Sequence, residues 1–342
     1  MERVLECLPR DSRVAILRLR SLGDCVLTTP ALDILKRSRP DLRVLVVVED
    51  RFRAIFEDNP AVDEILAPGL GALRRRSPAL CLNFHGGNRS AWVTALSGAR
   101  YRAGFAHFRH QFAYNVRIPR AQEILGEERK VHTAEHLASA MFYLGVPPCE
   151  IPRATLVARI PQPRPGASPA GAHEQPQVLR HDGPYAVIHP TAAAPGKTWP
   201  AERFLAVAEH LRASGLEPLF IGGAQDDLSG FRAFRVVHGA PLGEIKRLLS
   251  TAALFIGNDS GPAHMAAAFG LPVVVLFAAS DPVIWGPWRT ASEVLSAPGG
   301  IASIETTQVL EAVARLGSWM KDSQAGIRLR ADNRPVPLGG HA

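Results

Sequence analysis

The chain is poor in residues that staple, coordinate metal or span a bilayer. Its 342 residues include four cysteines, Cys7, Cys25, Cys81 and Cys149, which are scattered and form no CxxC pair. That spacing indicates neither a disulfide framework nor a zinc site. The longest uncharged apolar runs are too short to cross a bilayer, which takes about 20 residues. The first segment, "MERVLECLPRDSRVAIL", carries acids and lacks a signal-peptide apolar core followed by a cleavage site, so the expected location is cytoplasmic. HExxH, GxSxG, the P-loop GxxxxGK[ST] and GxGxxG are all missing. "GAQDDLSG" (223–230) has adjacent acids but no D-x-D, so neither a metal nor a cofactor is expected.

What is present describes a globular protein. Hydrophobic residues make up 46% and charged residues 21% of a chain long enough for two domains. The formal net charge of +7 suits an anionic sugar nucleotide or an anionic lipid surface, and equally a set of solvated arginines. No aromatic-interleaved basic motif points to nucleic acid.

Short apolar runs alternate with helical patterns. "RVAILRLR" (13–20), "LRVLVVVED" (42–50) and "PALCLNFH" (78–85) read as strands of a parallel sheet buried on both faces. Helices are predicted at 29–40, 51–60 and 132–146, giving β-α-β-α-β. Residues 161–184, rich in Pro, Gly and Ala, read as a linker or flexible excursion. The pattern then restarts with strands at 185–190 and 217–223 and helices at 200–215 and 241–252. A strand-helix-strand follows at 255–277, then a last helix at 304–320. The expected domains are 1–160 and 185–320, with a loose tail at 321–342 and a ligand cleft between the halves.

Four polar clusters sit where strands end. In "FIGNDSGPAHMAAAFGLPVVVLFAASDP" (255–282), Ser260 can cap the following helix, Pro262 suits its first turn and Gly261 permits close backbone approach. A helix start of this kind suits a phosphate. Asp259 would repel one unless it accepts from sugar hydroxyls. The plainer reading leaves Asn258, Asp259 and Ser260 as caps. In "RLRSLGDCVLTTPAL" (18–32), Asp24 follows Gly23 at a strand end, as a general base or as a helix cap. Thr28-Thr29-Pro30 suggests a kink or second helical start. In "VIHPTAAAPGKTWPAERF" (187–204), Thr191, Lys197 and Thr198 can reach phosphates, and an ordinary exposed loop is the rival. In "LNFHGGNRSAWVTALSGARYRAGF" (82–105), Asn83, His85, Asn88 and Arg89 are candidates for acceptor recognition. His85 fits a structural role at least as well as a catalytic one.

Together, "AILRLRSLGDCVLTTPAL", "IHPTAAAPGKTWPAERFLAVAEHL" and "FIGNDSGPAHMAAAFGLPVVVLFAASDPVIWGPW" resemble the ADP-heptose:lipopolysaccharide heptosyltransferases, glycosyltransferase family 9, over about residues 13–320. The resemblance implies a GT-B fold, two Rossmann-like α/β domains facing across a cleft. It implies inverting, metal-independent transfer of heptose from ADP-heptose to a lipopolysaccharide core acceptor. The family's catalytic acid falls on Asp24, its phosphate-binding lysine on Lys197 and its strand-end hydroxyl on Thr191. Its sugar-contacting acid falls on Asp259, with Ser260, Gly261 and Pro262 starting the helix under the diphosphate. The acceptor class implies peripheral contact with the cytoplasmic face of the inner membrane. Two departures stand out: Asn83, where many members carry Asp, and the alanine-rich loop before Lys197. Alternatives left open are a GT-B transferase or epimerase with another nucleotide-sugar, and a catalytically silent saccharide- or nucleotide-binding protein.

Overall fold

The computed structural model describes residues 3–159, 183–192 and 195–317. The expected excursion lies outside these residues except for its last two, and the expected tail lies wholly outside them. Two six-stranded sheets carry the fold. In the first half, β1 (Arg13–Leu17), β2 (Arg43–Val47), β3 (Glu64–Leu66), β4 (Leu80–Asn83), β5 (Tyr101–Phe105) and β6 (Val116–Ile118) lie in the order β3-β2-β1-β4-β5-β6. In the second, β7 (Tyr185–His189), β8 (Glu217–Gly222), β9 (Arg235–His238), β10 (Leu254–Asn258), β11 (Val273–Phe277) and β12 (Ser292–Ser296) lie in the order β12-β11-β10-β7-β8-β9. Every neighbouring pair is parallel. Counted within its own half, each sheet has the order 3-2-1-4-5-6 of a doubly wound nucleotide-binding fold.

The central strands are uninterrupted apolar runs because helices cover both of their faces. Every residue of β7 and β11 is buried, and in β1 only Arg13 is exposed. The helices of the first half are α1 (Leu22–Ser38), α2 (Leu70–Arg75), α3 (Asn88–Ala95), α4 (Ala121–Leu125) and α5 (Thr133–Leu144). Those of the second are α6 (Ala201–Ala213), α7 (Leu242–Thr251), α8 (Gly261–Phe269) and α9 (Pro282–Trp285), with a further helix over 306–317. None of the described helices is long and apolar enough to cross a membrane.

Two helical expectations fail for local reasons. Helix α1 begins at Leu22 and runs straight through Thr28-Thr29-Pro30. Pro30 has no N–H for the Val26 carbonyl, and the Thr29 hydroxyl donates to that carbonyl at 2.8 Å instead. The segment expected as a helix at 51–60 is a short 3-10 turn over Asp50–Ile55. Strands β3, β5, β6, β9 and β12 extend the sheets beyond the strands read from the sequence.

The halves meet along α1 and α8. Alanines fill α8, so its backbone can lie close to α1, and one apolar core runs from Val14, Val26 and Leu82 to Ala263, Met265 and Val273. Polar straps join the halves elsewhere. Buried Lys246 donates to the Ala54 carbonyl at 2.6 Å, His132 Nε2 to the Gly286 carbonyl at 2.9 Å and Thr133 to the Ile284 carbonyl at 3.0 Å.

Candidate active site

In each sheet the winding direction reverses between the first and fourth strands, and ligands bind such sheets beyond that crevice. The candidate residues lie there. Asp24 follows β1 and Asn83 ends β4. His189 ends β7, with Asp259 just past β10.

Asp24 is the third residue of α1. Asp24 Oδ2 accepts from Ser21 Oγ at 3.0 Å and from Ser21 N at 3.5 Å, the second contact placing the carboxylate in a capping box. Its other oxygen lies 3.5 Å from Arg18 Nη1. Arg18 is 6% exposed, and its Nε is buried with no partner among the described residues. Burial lowers the guanidinium pKa while Asp24 raises it. Capping and pairing together fix one carboxylate geometry. Asp24 also lines a cavity of about 410 Å³ whose walls include Phe84, His85, Phe105 and His136, with Ile284 and Trp285 from the second half.

The second half presents cationic and hydroxyl groups. Lys197 Nζ donates to Ser280 Oγ at 2.6 Å and lies 3.6 Å from Asp259 Oδ2. Ser260 occupies the N-cap of α8, but its hydroxyl lies 3.1 Å from His189 Nδ1 and does not cap the helix. The rest of the chain of contacts assigns the protons. Thr191 donates to Asp226 Oδ2 at 2.7 Å, so at the 3.2 Å contact with His189 it must accept from Nε2–H. The bare Nδ1 then accepts from Ser260. A neutral imidazole is required, and burial pushes His189 down to about 4. Asn258, fully buried, ties the strand ends together: Nδ2 donates to the Pro190 carbonyl at 2.9 Å and Oδ1 accepts from Trp199 N at 3.1 Å.

The two sets converge where helix starts touch. A Cβ placed on Gly261 would sit 2.5 Å from Leu22 Cδ2, and one on Gly23 would sit 2.6 Å from His264 Cδ2. Gly261 thus admits the opposite helix, a packing reason that the ligand-approach expectation does not include. Asp24 adjoins one of these contacts and Asp259 precedes the other by two residues.

A family model described as glycosyltransferase family 9 (heptosyltransferase) matches residues 71–312. The chain belongs to that family. This transferase is 27% identical over 300 residues to lipopolysaccharide heptosyltransferase 3 of Escherichia coli, covering 79% of its own chain and 84% of that one. Its fold matches a family 9 glycosyltransferase from Veillonella parvula with a TM-score of 0.76 at 22% identity, over 91% of this chain and 98% of that chain. It also matches E. coli ADP-heptose lps heptosyltransferase II, with a TM-score of 0.74 at 19% identity, over 91% and 99% of the two chains. The architecture is therefore GT-B.

The acceptor candidates of the transferase separate in space. His85 lines the cavity and donates from Nδ1 to the Arg20 carbonyl at 3.1 Å; burial and then Arg18 lower its pKa. Asn83 is fully buried: Nδ2 donates to Tyr114 OH, and Oδ1 accepts from the backbone of His85 and Gly86. It shapes the turn. Asn88 bonds His110 at 2.6 Å, Arg89 donates to the Pro68 carbonyl, and neither lines the cavity. Among the described residues no cluster of His, Cys, Asp or Glu could hold a metal.

Several site residues gave no sequence signal. His136 stacks on Phe105 with ring centroids 4.0 Å apart, and burial, with His107 and Arg18 nearby, pushes it down to about 4. His264 is buried between Asp24 and Asp259, which raise its pKa, yet desolvation outweighs them and leaves it near 4. Its Nδ1 has no partner among the described residues. Asp226 was visible only as one of two adjacent acids.

Proposed function

We propose that this family 9 enzyme moves heptose from ADP-heptose to a lipopolysaccharide core acceptor with inversion, using Asp24 as general base and no metal ion. The carrying observation is the opposition of Asp24, on the wall of the aromatic cavity, to Lys197, Asp259 and the start of α8 across the contact between halves. In this reading the acceptor sugar enters the cavity, His85 contacts it, and its hydroxyl attacks the anomeric carbon. Asp24 takes the hydroxyl proton as the new C–O bond forms and the bond to ADP breaks. Lys197, the Gly261 N–H and the positive end of α8 stabilise charge growing on the departing phosphate. Asp259 accepts from donor sugar hydroxyls. Thr191 and Ser260 spend their hydroxyl protons on Asp226 and His189, so their part is to hold the loop and the helix start in place. Asn88, Arg89 and Asn83 shape the acceptor side. The enzyme works in the cytoplasm, at the inner membrane where its lipid-linked acceptor resides.

The test is the mass of the acceptor. Incubation with ADP-heptose and core acceptor in excess EDTA should add one heptose and release ADP. Release from a different nucleotide-sugar alone would replace the donor assignment. Dependence on Mg²⁺ would overturn the metal-free mechanism. Tight ADP binding with no transfer to any acceptor would favour a silent binding protein.

A further inference from the structure

The charge of the chain is unevenly placed. Between Glu64 and Glu123 there are nine arginines and no Asp, Glu or Lys. Arg76 is paired with Glu64. Among the described residues, no ion pair engages Arg89, Arg100, Arg102, Arg109 or Arg117. Four of these five are exposed, and Arg102 is half-buried.

The same arc carries exposed apolar side chains. Trp92 and Phe112 are each 57% exposed and Leu96 is 47% exposed, three of the five large hydrophobic side chains that stand out from the surface of the described residues. They form one patch. Trp92 and Phe112 meet with ring centroids 5.1 Å apart, and Leu96 follows Trp92 by one helical turn at the end of α3. Nothing in the fold requires two large aromatic rings to pack against each other in water. Exposed aromatic and leucine side chains on one acid-free, arginine-rich segment have the composition of a surface that sits in the headgroup layer of a membrane. Guanidinium groups match phosphate oxygens in geometry, and arginines without a carboxylate partner have no anionic competitor for them.

We propose that the face formed by Trp92, Leu96 and Phe112, with the exposed Arg100, Arg109 and Arg117 of the same segment, docks on a bilayer containing anionic phospholipid. Charge argues against a second copy as occupant, because pairing this face with itself would oppose two acid-free arginine sets. Position favours a membrane. The loop that ends in Phe112 also carries His107 and Phe108, which line the cavity beside Asp24. Docking there would hold the cavity near the surface from which a lipid-linked sugar emerges. The proposal deepens the acceptor assignment, but vesicle binding needs no turnover and is measured separately.

The experiment is co-sedimentation of the full chain with vesicles of equal parts phosphatidylglycerol and phosphatidylethanolamine, with pure phosphatidylcholine as control. Binding should be strong at low salt, fall as salt rises, and be about tenfold or more weaker on the neutral vesicles. Trp92→Ser with Phe112→Ser should lower partition by about tenfold or more, with unchanged melting temperature and ADP affinity. Arg100→Gln with Arg117→Gln should weaken it similarly and flatten the salt dependence. Failure of the wild-type chain to bind anionic vesicles would overturn the proposal, as would wild-type binding by the Trp92/Phe112 variant. A dimer that dissociates in that variant while vesicle binding persists would assign the face to a second copy. Binding to single-stranded RNA that is lost in the arginine variant, with vesicle binding intact, would assign it to nucleic acid. Should the variants bind poorly yet transfer heptose normally to a soluble acceptor, the docking face stands and the chemistry is independent of it.

Discussion

The two halves share one strand order and place opposite charges at their strand ends. In the first, the crevice beside β1 holds a carboxylate fixed by Ser21 and Arg18 at the edge of an aromatic cavity. In the second, the crevice beside β7 holds a lysine and a hydroxyl-imidazole-hydroxyl chain ending on Asp226. The topology supplies equivalent places, and the residues at the strand ends decide what each place binds. On the proposed mechanism the first set takes the proton and the second meets the anionic leaving group, so neither half would suffice alone.

Removing the proton acceptor should break the comparison most severely. Asp24→Asn keeps the shape and a capping oxygen but cannot take a proton, and turnover should fall about 10²–10⁴-fold. Donor affinity by calorimetry should stay near wild type, while the melting temperature should fall, because Asn leaves the buried Arg18 charge without its partner. Full turnover would leave Asp24 a cap. Next come the contacts between halves. A methyl at Gly261 must displace Leu22, so Gly261→Ala should cost about 1–3 kcal/mol of stability and impair turnover. Urea midpoints for this variant and for Gly23→Ala would show whether both contacts matter. A wild-type midpoint in both would mean that the halves separate freely.

The donor side should then divide by ligand. Lys197→Ala should weaken ADP and ADP-heptose alike, by about 1.5–3 kcal/mol for one charge-assisted contact. Asp259→Ala should spare ADP and weaken ADP-heptose by a similar amount. Calorimetry with both ligands separates the two roles, and equal losses for Asp259→Ala would refute the sugar assignment.

A separate effect, on acid stability and not on the site's chemistry, is also expected. Burial holds His136 in the first half, and His189 and His264 in the second, down at about 4. The unfolded chain therefore takes up protons first as pH falls. Stability should be full above ~6.5 and should drain towards pH 4, by about 1.4 kcal/mol per pH unit for each histidine. Melting curves from pH 7 to 4.5 test this. His136→Phe should flatten the slope by one histidine's share.

What could be read from the sequence lies in the segments that follow strand ends. Asp24, Lys197 and Asp259 stood out because a polar cluster interrupts an apolar run at each position. The cavity had no such signal. Its walls come from 84–85, 105–108, 131–137 and 284–285, and only the fold brings these segments together. Strands β3 and β6 have three residues each, too short for an alternation to register. The course of α1 through Pro30 depended on one hydroxyl, Thr29, replacing a missing donor. Ser260 looked like a cap because its position is one, and its partner, His189, lies 71 residues away.

The meeting of Leu22 with Gly261 sets two helices nose to nose. Each helix start carries about half a unit of positive charge, so the contact joins like poles. Asp24 and Asp259 are the fixed negative charges beside it, and Asp24 is partly spent on Arg18. A diphosphate arriving at this seam would be a counterion for both poles at once. The donor would then be part of what holds the halves together, and its departure as product would loosen that joint.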